Sequence, residues 1–222
     1  MSQTLFVRHG ETEWNAEGRI QGWAPVPLSG RGREQAARVA ATFATESGSS
    51  AETDRLATEA DDSAAEIGDV DAVVSSDLPR TRQTAEPIAE AVGVGLETDS
   101  RLRERDFGVY QGLRSANFFE RFPELDLLEN GSTAAAYTPE SGESWLDVRD
   151  RVLAAARDLH ERDGTVVAVT HVNPIRLAVG ERRGFDVVRS LTELSADNCS
   201  LTVVGGDGDV VRENVTDHLP EG

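Results

Sequence analysis

The chain's first apolar run, Thr4-Leu5-Phe6-Val7, leads directly into Arg8-His9-Gly10-Glu11-Thr12. The run reads as a buried strand. A polar cluster at the carboxyl end of such a strand stands where open α/β sheets present their ligand sites. This placement fixes the expected fold class more tightly than any other feature, and the remaining pattern extends it.

Ser29 is the expected N-cap of a helix running through Arg33, Ala36, Ala37, Val39, Ala40 and Phe43. Residues 71–75 read as the next strand, on Ala72-Val73-Val74, followed by a helix over about 78–92. Residues 142–162 form an amphipathic pattern with Trp145, Val148, Val152, Ala155, Ala156 and Leu159 on one face. Residues 165–170 read as a buried strand, with 174–179 in the helix that follows. Residues 201–204 and 210–215 pair as strands through Gly205-Gly206-Asp207-Gly208. Strands alternating with helices predict a three-layer α/β/α sandwich with a mostly parallel central sheet, one domain over residues 1–222. Residues 45–69, rich in Ser, Ala, Thr, Asp and Glu, read as a surface insertion, part helix and part loop. Residues 113–139 read as an irregular cap with a short helix near 116–121.

Composition narrows the function. No apolar run approaches the roughly 20 residues of a membrane span, and no signal-peptide pattern precedes the first strand, so a cytoplasmic location is the expectation. The single cysteine, Cys199, supports neither an intramolecular disulfide nor a thiolate metal site. The formal net charge is −18, and every basic residue is arginine. Such a surface repels nucleic acid and anionic membranes. It also repels itself, a penalty that molar salt removes by shortening the Debye length to about 3 Å. A salt-adapted cytoplasmic protein is the expectation. The C-terminal strands could also pair across a homodimer.

Read as Arg8-His9-Gly10-Glu11-Thr12-x-x-Asn15, the first segment resembles the signature of the histidine phosphatase superfamily, the phosphoglycerate-mutase-like enzymes. Further segments resemble the family in the same order. Gln21-Gly22-Trp23 with Pro27-Leu28-Ser29-x-x-Gly32 is similar to its second loop and second helix start. Ser75-Ser76-Asp77-Leu78-x-Arg80-Thr81-x-Gln83-Thr84-Ala85 resembles the segment with its second arginine. Leu102-x-Glu104-x-x-x-Gly108-x-x-x-Gly112 resembles the segment of its general acid. Ser141-Gly142-Glu143-Ser144 matches the start of its long helix, and Val169-Thr170-His171-Val172-Asn173-Pro174-Ile175-Arg176 resembles the segment of its second histidine. Ordered motifs on the expected elements make coincidence a poor account.

The resemblance implies a phosphomonoester hydrolase working through a phosphohistidine on a small phosphorylated metabolite, with no cofactor and no metal. It implies His9 as nucleophile, its other ring nitrogen held by a backbone carbonyl. Arg8 and Arg80 would clamp the non-bridging oxygens. His171 would add a positive donor if protonated, and Glu104 would serve as acid and then base. Asn15, Gln21, Gly22, Trp23 and Val172 are the expected substrate-binding positions. Glu104 stands among Arg101, Arg103 and Arg105, so a surface ion pair is the plainer alternative; for Trp23 and Phe107 it is core packing. Glu11 and Thr12 are expected to orient the loop and cap the next helix.

Two departures from the family pattern stand out: Ala24-Pro25-Val26 replaces a stretch that often holds an aspartate, and Val172-Asn173 replaces two glycines. Mutases of this family carry a longer, more basic insertion after the glutamate segment. Between Gln111 and Gly142 this chain offers only Arg114 and Arg121. Phosphatase therefore ranks above phosphoglycerate mutase, and both rank above a non-catalytic binding module, which would need neither nucleophile nor acid.

Overall fold

The computed structural model describes residues 2–46 and 69–220. The insertion expected at 45–69 falls almost wholly outside the described residues.

Six strands form one sheet: β1 (Gln3–Arg8), β2 (Val70–Ser75), β3 (Leu96–Thr98), β4 (Thr165–Thr170), β5 (Leu201–Gly205) and β6 (Val210–Val215), in the order β3-β2-β4-β1-β5-β6. The pairs β2–β3, β2–β4 and β1–β4 are parallel, whereas β5 runs antiparallel to β1 and β6 antiparallel to β5. The short β3 carries no apolar run of its own, which is why sequence reading passed over it.

Alternate strand residues feed two cores. Leu5, Val7, Val73, Val167 and Val169 pack under α2 (Gly30–Glu46) and α3 (Pro79–Val92). Phe6, Val74, Val166 and Ala168 face α6 (Trp145–His160) and α7 (Val172–Arg182), with α8 (Val187–Glu193) beside them. With both faces covered, every residue of β4 is buried, as the period-2 geometry of a doubly covered sheet requires. This is the three-layer sandwich the pattern predicts.

The helices begin where the local chemistry favours it. Thr12 and Asn15 form a capping box at the short α1 (Glu13–Ala16), and Ser144 with Asp147 does the same for α6. Ser29 Oγ accepts from the Gly32 N–H at 3.0 Å. The cap is more helical than expected. Besides α4 (Phe118–Arg121), a helix α5 covers Leu127–Ala136, with a break at Gly131, whose φ of 50° and ψ of −124° are not helical. An interior Asn-Gly-Ser hides this helix from propensity reasoning.

Register delivers the site. Arg8 pairs with Thr170 across β1–β4, and Ser75 with Val169 across β2–β4, so His9, His171 and Ser76 emerge side by side at the carboxyl ends. Val7 pairs with Leu201, which brings the segment before β5 to the same edge. Gly10 and Gly32 back onto each other there. A Cβ at Gly10 would stand 2.5 Å from the Gly32 carbonyl oxygen, so a side chain would force the loop off the sheet end.

Candidate active site

The strand ends open into a cavity of about 170 Å³ lined by Arg8, His9, Asn15, Gln21, Gly22, Arg80, Glu104, Val172 and Asn173, among others. Four of the five residues expected to be catalytic line it directly. The fifth, His171, lies behind His9, with ring centroids 5.1 Å apart in an edge arrangement.

His9 is 3% exposed, and its Nδ1 lies 2.7 Å from the Gly10 carbonyl oxygen. A carbonyl only accepts, so Nδ1 carries the proton and Nε2 keeps its lone pair. The Asn198 Nδ2 donates to the His9 carbonyl at 2.9 Å, and the Thr84 hydroxyl accepts from the Gly10 N–H at 3.0 Å. The imidazole's pKa is driven well below its ordinary value, first by burial and then by the charges of Arg80 and Arg8. His9 is therefore a neutral, oriented base.

His171 is fully buried, and its Nε2 lies 3.0 Å from Ser76 Oγ. Its pKa too is driven well below the ordinary value by burial, then by Arg80 and His9. His171 is therefore neutral, and the positive charge is concentrated on the two arginines.

Those arginines are held from behind. Arg80, second residue of α3, donates from Nη2 to the Gly22 carbonyl at 2.7 Å and from Nη1 to the Ala24 carbonyl at 3.1 Å. Burial lowers its pKa to about 10, which still leaves it charged at neutral pH. Arg8 donates from Nη1 to the Ala196 carbonyl at 2.7 Å. Arg8 Nε, Arg80 Nε and His171 Nδ1 are buried with no hydrogen-bond partner among the described residues. Buried unpaired N–H groups are costly, and the two on Arg8 and Arg80 belong to side chains that line one cavity. Such a cluster suits an anion with several acceptor oxygens.

Glu104 is 6% exposed and makes no ion pair with its arginine neighbours. Arg101 pairs with Asp99 and Asp158, and Arg103 with Asp77. Arg105 turns inward, its Nε donating to the Glu143 carbonyl at 2.8 Å. The Glu104 carboxylate instead accepts from the Arg105 N–H at 2.7 Å and from Asn173 Nδ2 at 3.0 Å. Its backbone carbonyl accepts from Arg151 Nη2 and Trp23 Nε1. Gly108, with φ of 51°, lets the segment turn back against the Glu140 carbonyl, where a Cβ would stand 2.0 Å from the oxygen.

Of the expected substrate-binding positions, Asn15 lines the cavity with its Oδ1 engaged by Thr12, which leaves the amide N–H groups as its donors. Gln21 Oε1 is 3.0 Å from the Thr12 hydroxyl. Gly22 acts through the carbonyl that holds Arg80, and Val172 opens α7 at the cavity wall. Trp23 stands outside the cavity lining. Its indole braces the Glu104 carbonyl, and the Arg103 guanidinium stacks on its ring at 4.5 Å. Sequence reasoning did not reach Ser76, Asn198 or Arg151 as supports of the site. Arg151 left a faint signal, since it borders the apolar stripe of α6 rather than the solvent face.

Known proteins resemble this chain in sequence and fold. The family model of the histidine phosphatase superfamily (branch 1) matches residues 4–56 and 50–215. A probable phosphoglycerate mutase of Escherichia coli, GpmB, is 39% identical over 162 residues, covering 72% of this chain and 65% of that one. The match thus spans just under two thirds of the curated relative's length. Among solved structures, Bacillus stearothermophilus YhfR superposes with a TM-score of 0.78 at 25% identity, over 99% of this chain and 100% of that one. A mycobacterial glucosyl-3-phosphoglycerate phosphatase solved with VO3 gives a TM-score of 0.73 at 25% identity, over 96% and 99%. With its motifs in family order and the family model matched along nearly its whole length, the chain belongs to the histidine phosphatase superfamily.

Proposed function

We propose that this protein hydrolyses small phosphomonoesters through a phosphohistidine at His9. The observation that carries the reading is a buried, neutral His9, its Nδ1 committed to Gly10, in a cavity shared with Arg8, Arg80 and Glu104. His9 Nε2 forms a bond to phosphorus while the P–O bond to the leaving group breaks. Glu104, entering protonated, gives its proton to the departing oxygen. The carboxylate so formed then takes a proton from water, whose oxygen attacks phosphorus and breaks the P–N bond. Phosphate departs, with His9 neutral and Glu104 returned to its acid form. Arg8 and Arg80 hold the equatorial oxygens, where the transition-state charge lies. The start of α7 presents its backbone N–H groups to the same side.

Hydrolysis is favoured over phosphoryl migration by the cap. Arg114 and Arg121, the only basic residues between Gln111 and Gly142, are exposed and do not line this cavity. The likeness to GpmB keeps mutase activity as the second reading. We further infer, from the net charge of −18 and the absence of lysine, an enzyme adapted to a salt-rich cytoplasm.

The test is phosphate release from p-nitrophenyl phosphate in concentrated KCl with EDTA. The native chain should turn over and His9→Ala should not, and a radiolabelled ester should leave an acid-labile, base-stable phosphoryl group on His9. Full activity in His9→Ala would overturn the mechanism. Interconversion of phosphoglycerates outpacing phosphate release would replace the hydrolase with a mutase.

A further inference from the structure

Beside the phosphate-sized cavity lies a larger chamber of about 360 Å³. The two share Ile20, Phe107, Ser115 and Asn173 in their walls, so the chamber continues the site outward beneath the cap. Its volume falls at the lower end of the range for small-molecule sites. Cap, sheet-side helix and α8 all present apolar groups to it: Phe118 and Leu127, Trp145, and Leu191. Phe119 and Leu128, which also line it, are 50% and 79% exposed, so they extend the apolar wall out to water.

Among the described residues, three charged ones line the chamber, and each has partners in the fold: Asp126 Oδ1 accepts from the Leu128 N–H at 2.9 Å. Arg105 donates to the Glu143 and Tyr137 carbonyls and lies 4.5 Å over the Trp145 ring, so it builds the wall. Arg176 Nη1 donates to the Leu191 carbonyl at 3.2 Å, while its Nε is buried without a partner among the described residues. A polyhydroxylated sugar placed here would lose water from many hydroxyls and regain few hydrogen bonds, at a cost for each. An apolar body would instead remove the exposed cap side chains from water.

We propose that this chamber receives the leaving group and selects esters of bulky apolar alcohols, aryl-substituted or branched, carrying at most one acceptor oxygen for Arg176. The proposal rests on the hydrolase reading above and names its substrate class. Continuity with the phosphate site argues for the occupant: a group esterified to a phosphate at His9 extends past the shared walls into the chamber. Each methylene buried should raise kcat/KM by about fourfold until the chamber is full.

The test compares alkyl phosphates whose alcohols have similar acidity, so that leaving-group chemistry does not differ: ethyl phosphate, glycerol 1-phosphate and 2-(1-naphthyl)ethyl phosphate. The naphthylethyl ester should exceed both others in kcat/KM by at least about thirtyfold, as expected for a few methylene equivalents. Leu128→Asp and Phe119→Asp, both at exposed positions that the fold tolerates, should each cut that ratio by about tenfold, with melting curves confirming a folded chain. Equal rates on all three esters, a preference for glycerol phosphate, or a ratio indifferent to both substitutions would overturn the chamber's role and leave the hydrolase standing. No turnover of any phosphate ester would overturn both.

Discussion

Asn173 Nδ2 donates to Glu104 Oε1 at 3.0 Å, tying the helix after His171 to the carboxylate proposed as general acid. The family commonly has glycine where Asn173 stands, so this tether is particular to chains with a side chain there. Asn173→Ala should lower kcat by about three- to tenfold with a smaller change in KM, the size of one ordinary lost hydrogen bond. In a Glu104→Gln background the same substitution should have little further effect, since the partner carboxyl group is gone. Steady-state kinetics on the four proteins of this cycle decide the matter. Additive losses would show that Asn173 acts elsewhere.

Arg80 reaches the cavity with both terminal nitrogens already anchored to the Gly22 and Ala24 carbonyls. Lysine cannot hold two carbonyls and present a planar fork at once. Arg80→Lys should therefore cost about 10²- to 10³-fold in kcat/KM, the scale of a lost transition-state donor. Vanadate, which resembles the transferring group, should lose potency in parallel. A loss in kcat/KM without a change in vanadate inhibition would place the role of Arg80 in the fold alone.

The buried histidines predict a pH signature with a definite sign. His9, His171 and His218 all have pKa values below the ordinary histidine range, with burial the largest cause in each. Unfolded, they take up protons near pH 6.5. Folded, they resist until lower pH. Unfolding therefore binds protons in the window between the folded values and about 6.5, so stability is full above about pH 6.5 and declines as pH falls through that window. Denaturant titrations at pH 7.5 and pH 5.5 should show the lower midpoint at pH 5.5. With His9 as the proposed nucleophile, turnover should persist below pH 6.5, because its imidazole stays neutral there.

The charge of −18 predicts a response to salt in two observables. The melting temperature should rise from dilute buffer to concentrated KCl as self-repulsion is screened. The kcat/KM for a phosphate ester should also rise, because an acidic surface slows the approach of an anionic substrate until salt hides it. Calorimetry and initial rates across a KCl series read both. A melting temperature that stays flat would remove the case for salt adaptation.

Much of this protein was legible in one dimension. Apolar runs of four to six residues separated by amphipathic helices admit few arrangements other than a covered, largely parallel sheet, because unpaired strand edges and exposed apolar faces are both costly. Motif order then named His9, Arg8, Arg80, Glu104 and His171, since residues at strand ends and helix starts are placed by local geometry. Tertiary structure alone decided what those residues experience. The charge state of His9 depends on burial and on two arginines, one its neighbour and one on a helix across the site. Whether Glu104 is an ion pair or a free carboxylate depended on Arg101, Arg103 and Arg105 finding other partners. Trp23 became a brace and α5 a helix for the same reason: packing against distant residues outweighs local preference. The chamber under the cap exists only where α4, α5, α6 and α8 meet. Short-range patterns fix the elements and the chemistry they carry, while electrostatics, burial and cavity shape arise between residues far apart in the chain.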